Sequence, residues 1–305
     1  MATSDTQASR FIQSQRGFSL VELMISLAIG LILAITASTV YLYSKQAFNS
    51  STETSQMEEN GKFALNLLTK NIQSAGFVMI DPAIPSPQGP IDNKISGCDF
   101  GMTNPITPAS SADLTCLAAT PAGARRSASI AVFTETDAYV GTGTKYQGFD
   151  CVGESSIAMP TTTGTVNETR SYFFVTQTTV ATTSGSTTMG QLSCVADRTP
   201  AGGPAAYQSQ PLIPGIEQIA FNYLLPSTAD PNTAQASTAA AALTAAQWPT
   251  VLAVDVCVLA KSVQPGASDT GSAYTDCYGA AIAATAGDVY RTFRTTVRLR
   301  NKSSV

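Results

Sequence analysis

The chain has 305 residues, of which 44% are hydrophobic and 12% charged, with a formal net charge of −4 and no histidine. That length admits one large or two small domains. The acidic balance excludes nucleic acid as a main partner, because binding phosphates needs a basic face. With no histidine and no Cys-x-x-Cys, the sequence offers no zinc site and implies no cofactor.

The first segment, 1–17, is a polar leader that carries Arg10 and Arg16. From Phe18 to Tyr43 the chain is overwhelmingly apolar or small, and Glu22 is its only charge. A helix crosses a bilayer with about 20 apolar residues. A secretory signal peptide has a core of roughly 7–15 and a small-residue cleavage site, to which Ala37-Ser38-Thr39 is only a weak match. A carboxylate inside a bilayer costs roughly 2.5–3.5 kcal/mol, which makes Glu22 a candidate functional residue. Arg10 and Arg16 flank the span on one side. Lys45 and the acidic Glu53, Glu58 and Glu59 follow on the other. The positive-inside rule then keeps the leader cytoplasmic and exports everything after about Ser44.

Gly17-Phe18-Ser19-Leu20-Val21-Glu22-Leu23 resembles the processing site of type IV prepilins and the related type II secretion pseudopilins. The resemblance implies that a membrane aspartyl peptidase cuts between Gly17 and Phe18 and methylates the new amine of Phe18. Glu22 is then the glutamate at mature position five. On a helix Phe18 and Glu22 lie one turn apart on the same face. A cationic α-amine in the membrane needs a partner, and Glu22 can pair with its own subunit's amine or with a neighbour's. The second choice makes Glu22 a registration device for assembly. The plainer alternative is a carboxylate facing headgroups, favoured by the helix dipole.

Beyond the span, Phe63, Leu67, Leu68, Ile72 and Ala75 recur at three- and four-residue spacing, with Glu58, Glu59, Lys62, Asn66, Lys70 and Gln73 opposite. Gly76 suits a left-handed C-cap, and Pro82 prevents simple continuation. One helix from Phe18 to Ala75 would run roughly 80 Å at 1.5 Å per residue. Gly61 reads as a soft point in it or as an ordinary surface glycine. The Pro-, Gly- and Ser-rich stretch Asp81–Arg126 reads as loop.

Strands are expected at Ser129–Thr136, Ser171–Val180, Gln191–Val195, Gly215–Leu225, Val251–Ala260 and Val289–Arg300. Thr161–Thr165 and Thr178–Thr188 read as loop or hairpin tips, and Ala-rich Ala234–Ala246 as a short surface helix. In the last strand Tyr290, Phe293, Val297 and Leu299 interleave with Arg291, Arg294, Arg298 and Arg300. The expected organisation is leader 1–17, transmembrane helix 18–44, amphipathic continuation 45–76 and a disulfide-bonded, β-rich head 77–305. That is an α+β, pilin-like fold with a long helix packed on antiparallel sheet.

All six cysteines follow the span, at 98, 116, 151, 194, 257 and 277. An even number in an exported domain reads as disulfides. Sequential pairing, Cys98–Cys116, Cys151–Cys194 and Cys257–Cys277, is favoured because each pair closes a Gly/Ser/Thr-rich loop.

Glu59-Asn60-Gly61-Lys62-Phe63-Ala64, Ala75-Gly76-Phe77, Cys194, Pro211–Ile219 and Arg294–Asn301 resemble the large minor pilins of the PilW type. The family pattern also suggests Cys151–Cys194. The resemblance implies a low-copy subunit that helps start a type IV pilus and sits at or near its tip. The implied partners are prepilin peptidase, the major pilin, other minor pilins, the inner-membrane pilus platform and a large tip adhesin.

A large minor pseudopilin of a type II secretion system would share the amino terminus. A tip adhesin would use the Thr- and Ala-rich loops as its contact surface. An enzyme has little support without a Gly-x-Ser-x-Gly or a phosphate-binding loop. Asp255 and Glu217 read as ordinary strand-edge charges, and no calcium-loop pattern is visible.

Overall fold

The computed structural model describes residues 17, 19–77, 95–103, 115–122, 124–136, 149–153, 157–161, 164–182, 185–197, 207–227, 230, 233–263, 273–284 and 287–301. The chain forms two compact units, Met1–Asn49 and Ser50–Val305.

A single helix, α1, spans Leu20–Ser74. Its part in the first unit is long and apolar enough to cross a membrane. There Leu20, Val21, Leu23, Met24, Ile25, Leu27, Ile29, Leu31, Ile32 and Leu33 are all exposed.

The second unit adds twelve described strands: β1 (Ile95–Cys98), β2 (Ser129–Thr136), β3 (Ile157–Thr161), β4 (Gly164–Thr182), β5 (Gly185–Asp197), β6 (Tyr207–Pro214), β7 (Ile216–Pro226), β8 (Ala234–Thr238), β9 (Ala253–Lys261), β10 (Ala273–Thr275), β11 (Ala281–Ala283) and β12 (Tyr290–Arg298). They make two main sheets and a β10–β11 hairpin. The larger sheet runs β1-β2-β4-β5-β6, with β3 also on β4. The smaller runs β12-β9-β7-β8. Every pairing is antiparallel. The fold is therefore a long apolar helix packed on antiparallel sheet.

The main core brings together the second part of α1 and the inner faces of both sheets. Phe173, Leu192 and Ile130 come from the larger sheet, and Ile219, Phe221, Tyr223, Val254, Val256 and Val258 from the smaller. Alternate residues of the smaller sheet, Ala220, Cys257 and Leu259, build a separate cluster with Cys277 on its outer face. That two-residue period follows from the pleat. Fully burying each large aliphatic contributes about 1.5–3 kcal/mol.

The buried stripe of α1 is Met57, Gly61, Ala64, Leu68 and Ile72, whereas Phe63 is 57% exposed. Leu68, Ile72 and Ala75 are buried as the spacing predicts, and Leu67 packs against the core. Only Phe63 leaves the expected face, where the small Gly61 and Ala64 let the helix approach the sheet closely. Gly61 is neither a soft point nor a surface glycine: a Cβ there would overlap the ring of Phe293.

Gly76 ends the helix at φ 68°, a conformation that glycine adopts without strain. Its N–H donates to Phe133 O at 2.8 Å. Asn301 Nδ2 donates to the carbonyls of Ser74 and Ala75 at 3.2 and 3.3 Å, satisfying groups the last turn leaves open.

Three further expectations are corrected. Asp81–Arg126 holds β1 and a bridge between Met102 and Cys116. Ala234–Ala246 forms β8 on β7, then a short 3-10 turn at Ala240–Ala242, so strand pairing overrides alanine's helix propensity. In β12 the faces divide differently from the apolar/basic pattern. Arg291 lies on the helix side, paired with Glu58. Tyr290 lies on the outer side, stacked on Tyr274 with ring centroids 4.3 Å apart.

Candidate assembly site

The chemistry that points outward from this chain is concentrated at the start of α1. Gly17 is exposed, with open space where a Cβ would stand. Phe18 lies outside the described residues. Glu22 sits in the first turn of α1 and is exposed. The N–H of Leu23 donates to Ser19 O at 3.1 Å, so the ladder begins two residues after Gly17.

The hydroxyls of this apolar stretch turn back onto their own helix. Ser26 Oγ donates to Glu22 O at 2.7 Å, Thr36 to Leu33 O at 2.9 Å, Ser38 to Ala34 O at 2.7 Å and Thr39 to Thr36 O at 2.9 Å. Such back-bonding suits a helix in lipid, where no water satisfies a hydroxyl. Glu22 has no comparable internal answer among these bonds. It is the one acidic or basic side chain between Phe18 and Tyr43.

In the second unit, α1 is tied to the sheets by polar contacts as well as by the core. Glu58 bridges Arg291 of β12 and Lys62, the latter at 3.1 Å. Asn60 Nδ2 donates to Pro214 O at 3.2 Å. Glu58 and Lys62 belong to the helix face that the sequence reading set opposite the apolar residues.

The cysteines stand as Cys98–Cys116, Cys151–Cys194 and Cys257–Cys277, with Cα atoms 5.2, 6.3 and 5.6 Å apart. Each joins a strand of a sheet (β1, β5 or β9) to a segment outside the named strands.

Sequence reasoning missed a polar hub that binds these segments together. Asp99 accepts from the N–H groups of Ala240 and Ala241 through its two oxygens, at 3.1 and 2.9 Å. Its carbonyl accepts from Tyr278 Oη at 3.2 Å and Arg126 Nε at 3.3 Å. The guanidinium of Arg126 lies 3.8 Å above the Tyr278 ring and 4.5 Å above Phe100. Fully buried Gln218 donates to Arg126 O at 2.7 Å and accepts from Cys277 N–H at 2.8 Å. No local pattern could reveal this hub, since Asp99 and Ala240 are 141 residues apart.

Burial raises the Tyr278 hydroxyl to about 12, with nearby Arg126 pulling it down and Asp99 pushing it further up. Burial also raises Tyr223, Tyr274 and Tyr290.

Glu217 is not a strand-edge charge. It is buried and accepts from the N–H of Gly190 at 2.8 Å, where β5 crosses β7. Asp255 does lie on the outer face of the smaller sheet, in a polar cleft with Asn222, Arg294 and Thr296. There it accepts from Thr296 Oγ1 at 2.6 Å, while Arg294 spans the carbonyls of Asp276 and Cys277 at 3.0 and 3.1 Å. The cleft's charged groups thus serve internal bonds.

Residues 153–301 match the family described as Type IV Pilus-assembly protein W. Residues 12–38 match the prokaryotic N-terminal methylation motif. A search of curated proteins gave no match. Among solved structures, a type IV-like pilin from Thermus thermophilus is similar over 82% of this chain and 99% of its own. Its sequence identity is 12% and its TM-score 0.39.

Proposed function

Because the chain is a type IV pilin of the PilW type, we propose that it acts as a minor pilin that helps start type IV pilus assembly and sits at or near the tip. The observation that carries this reading is the placement of Glu22: a lone carboxylate in the first turn of an exposed apolar helix, just after the methylation motif. Removing the leader at Gly17 would create an α-amine one turn from Glu22. In a filament, that amine and the carboxylate of an adjacent subunit neutralise each other, which sets the axial position of an incoming subunit.

The proposed boundaries are a cytoplasmic leader 1–17, a transmembrane helix 18–44, its amphipathic continuation 45–76 and a periplasmic head 77–305. The chain waits in the inner membrane and then enters the pilus. Its partners are prepilin peptidase, the major pilin, other minor pilins and the assembly platform. A pilin helix lets the subunit join the filament, while the bulk of the head limits how often it can repeat.

The test is a count of surface pili after deletion of the gene, in cells that can and cannot retract them. Loss of pili, restored when retraction is blocked, is the expected result. Normal pili in both strains would overturn the initiation role, and a protein-secretion assay would then test the pseudopilin alternative.

A further inference from the structure

The terminal strands of the two sheets are not equally protected against pairing with another chain. β1 has only four residues. β6 contains Pro211 and Pro214, and the register of β5 with β6 slips between Leu192 and Ser193. β8 has five residues, and its pairing slips between Leu224 and Pro226. Short edges, prolines, bulges and charged side chains are the usual devices that stop sheets from recruiting extra strands. Of these β12 has only the charges, its arginines. It holds nine consecutive pairs with β9 without a register shift and contains no proline.

Its hydrogen-bonding pattern also shows which groups face outward. Leu299 N–H donates to Leu252 O, and Ser262 N–H donates to Val289 O, both at 2.9 Å. The alternate residues Arg291, Phe293, Thr295 and Val297 therefore carry the ladder to β9. Tyr290, Thr292, Arg294, Thr296 and Arg298 turn their N–H and C=O groups to the open side. No partner for the backbone groups of Thr292, Thr296 or Arg298 is found among the described residues.

Resting on the minor-pilin reading, we propose that the open edge of β12 pairs with an acidic, extended segment in the head of a different pilin subunit, lengthening the smaller sheet across the interface. Charge selects this occupant. Arg291 is already matched by Glu58, which leaves Arg294 and Arg298 as the arginines of the outward register on a strand with no acidic residue. Two copies pairing through β12 would bring four such arginines, two from each, into one ribbon, and like charges across strands are destabilising. An acid-bearing strand meets opposite charges in the same places. The edge thus favours a different subunit over a copy of itself.

The test uses the full-length chain in piliated cells with the photo-crosslinking substitution Thr292→p-benzoylphenylalanine. Cleavage after Gly17 and recovery in sheared pili are followed in the same cells. The expected adduct maps to an Asp/Glu-bearing extended segment of another pilin's head. Its yield should fall at least tenfold with Arg298→Glu, and likewise with Thr296→Pro, which removes an outward N–H while sparing the β9 ladder. An adduct with a second copy, an adduct with a segment lacking carboxylates, or no adduct from a chain recovered in pili would overturn the edge proposal alone. A chain absent from pili would remove the minor-pilin reading, and the edge proposal with it.

Discussion

The ring of Phe293 occupies the space in which Gly61 would carry a side chain. Glycine inside a helix ordinarily weakens it by roughly 1 kcal/mol relative to alanine, so Gly61→Ala at an open position would stabilise α1. Here a methyl would overlap three atoms of that ring. Gly61→Ala should instead destabilise the protein by about 1–3 kcal/mol, the usual cost of overpacking. Thermal unfolding of the chain in detergent measures this, and adding Phe293→Leu should recover most of the loss. A rise in stability with Gly61→Ala alone would refute the contact.

At the amino terminus, Gly17→Ala should leave unprocessed precursor in the membrane, because a methyl there obstructs a peptidase that must grip the backbone. Immunoblots of membrane fractions would show the longer form. Complete processing would count against the cleavage position.

Glu22→Val should be cleaved and inserted normally, since it makes the span more apolar, yet fail to enter filaments. The readout is the ratio of chain in sheared pili to chain in membranes. An unchanged ratio would end the pairing argument.

Asp99 should matter more than its position near a loop suggests. Asp99→Ala leaves the N–H groups of Ala240 and Ala241 without their acceptor. The expected loss is about 1–3 kcal/mol, and amide exchange should quicken first around Ala240–Ala242. Uniform exchange across the head would contradict a local role.

The tyrosines set an alkaline limit. Tyr278 titrates at about 12 when folded, against an ordinary value of 10.0. Between those values the unfolded chain releases a proton that the folded chain retains, so rising pH favours unfolding. This part of the stability is complete below pH 10 and is lost as pH rises towards 12. Denaturant midpoints measured from pH 9 to 12 should fall across that window, and Tyr278→Phe should make the fall shallower.

Much of this architecture could be read from residue order alone. The helix was legible because its apolar run continues into three- and four-residue spacing. Ser129–Thr136, with its β-branched and aromatic residues, has the same bounds in the sequence and in the structure. The face of α1 was legible at Leu68, Ile72 and Ala75 but not at Gly61 and Ala64. Spacing counts large apolar residues, whereas close approach to a sheet needs small ones. Ala234–Thr238 hid its strand because its composition favours helix and only β7 supplies its partner. The hub around Asp99 and Gln218 depends on contacts between distant segments. At the start of α1 the order was reversed: Gly17, Phe18 and Glu22 lie within a stretch, residues 12–38, whose methylation-motif pattern is carried by sequence alone.

The attachments of α1 within the second unit also have a mechanical meaning. Glu58 holds β12, Asn60 the end of β6, Gly76 β2, and the last turn is held by Asn301. A pull along this part of the helix loads several strands together instead of one contact after another. Tension transmitted through the helix would therefore be shared by both sheets. Slack would appear in the head only when several of those anchors failed together.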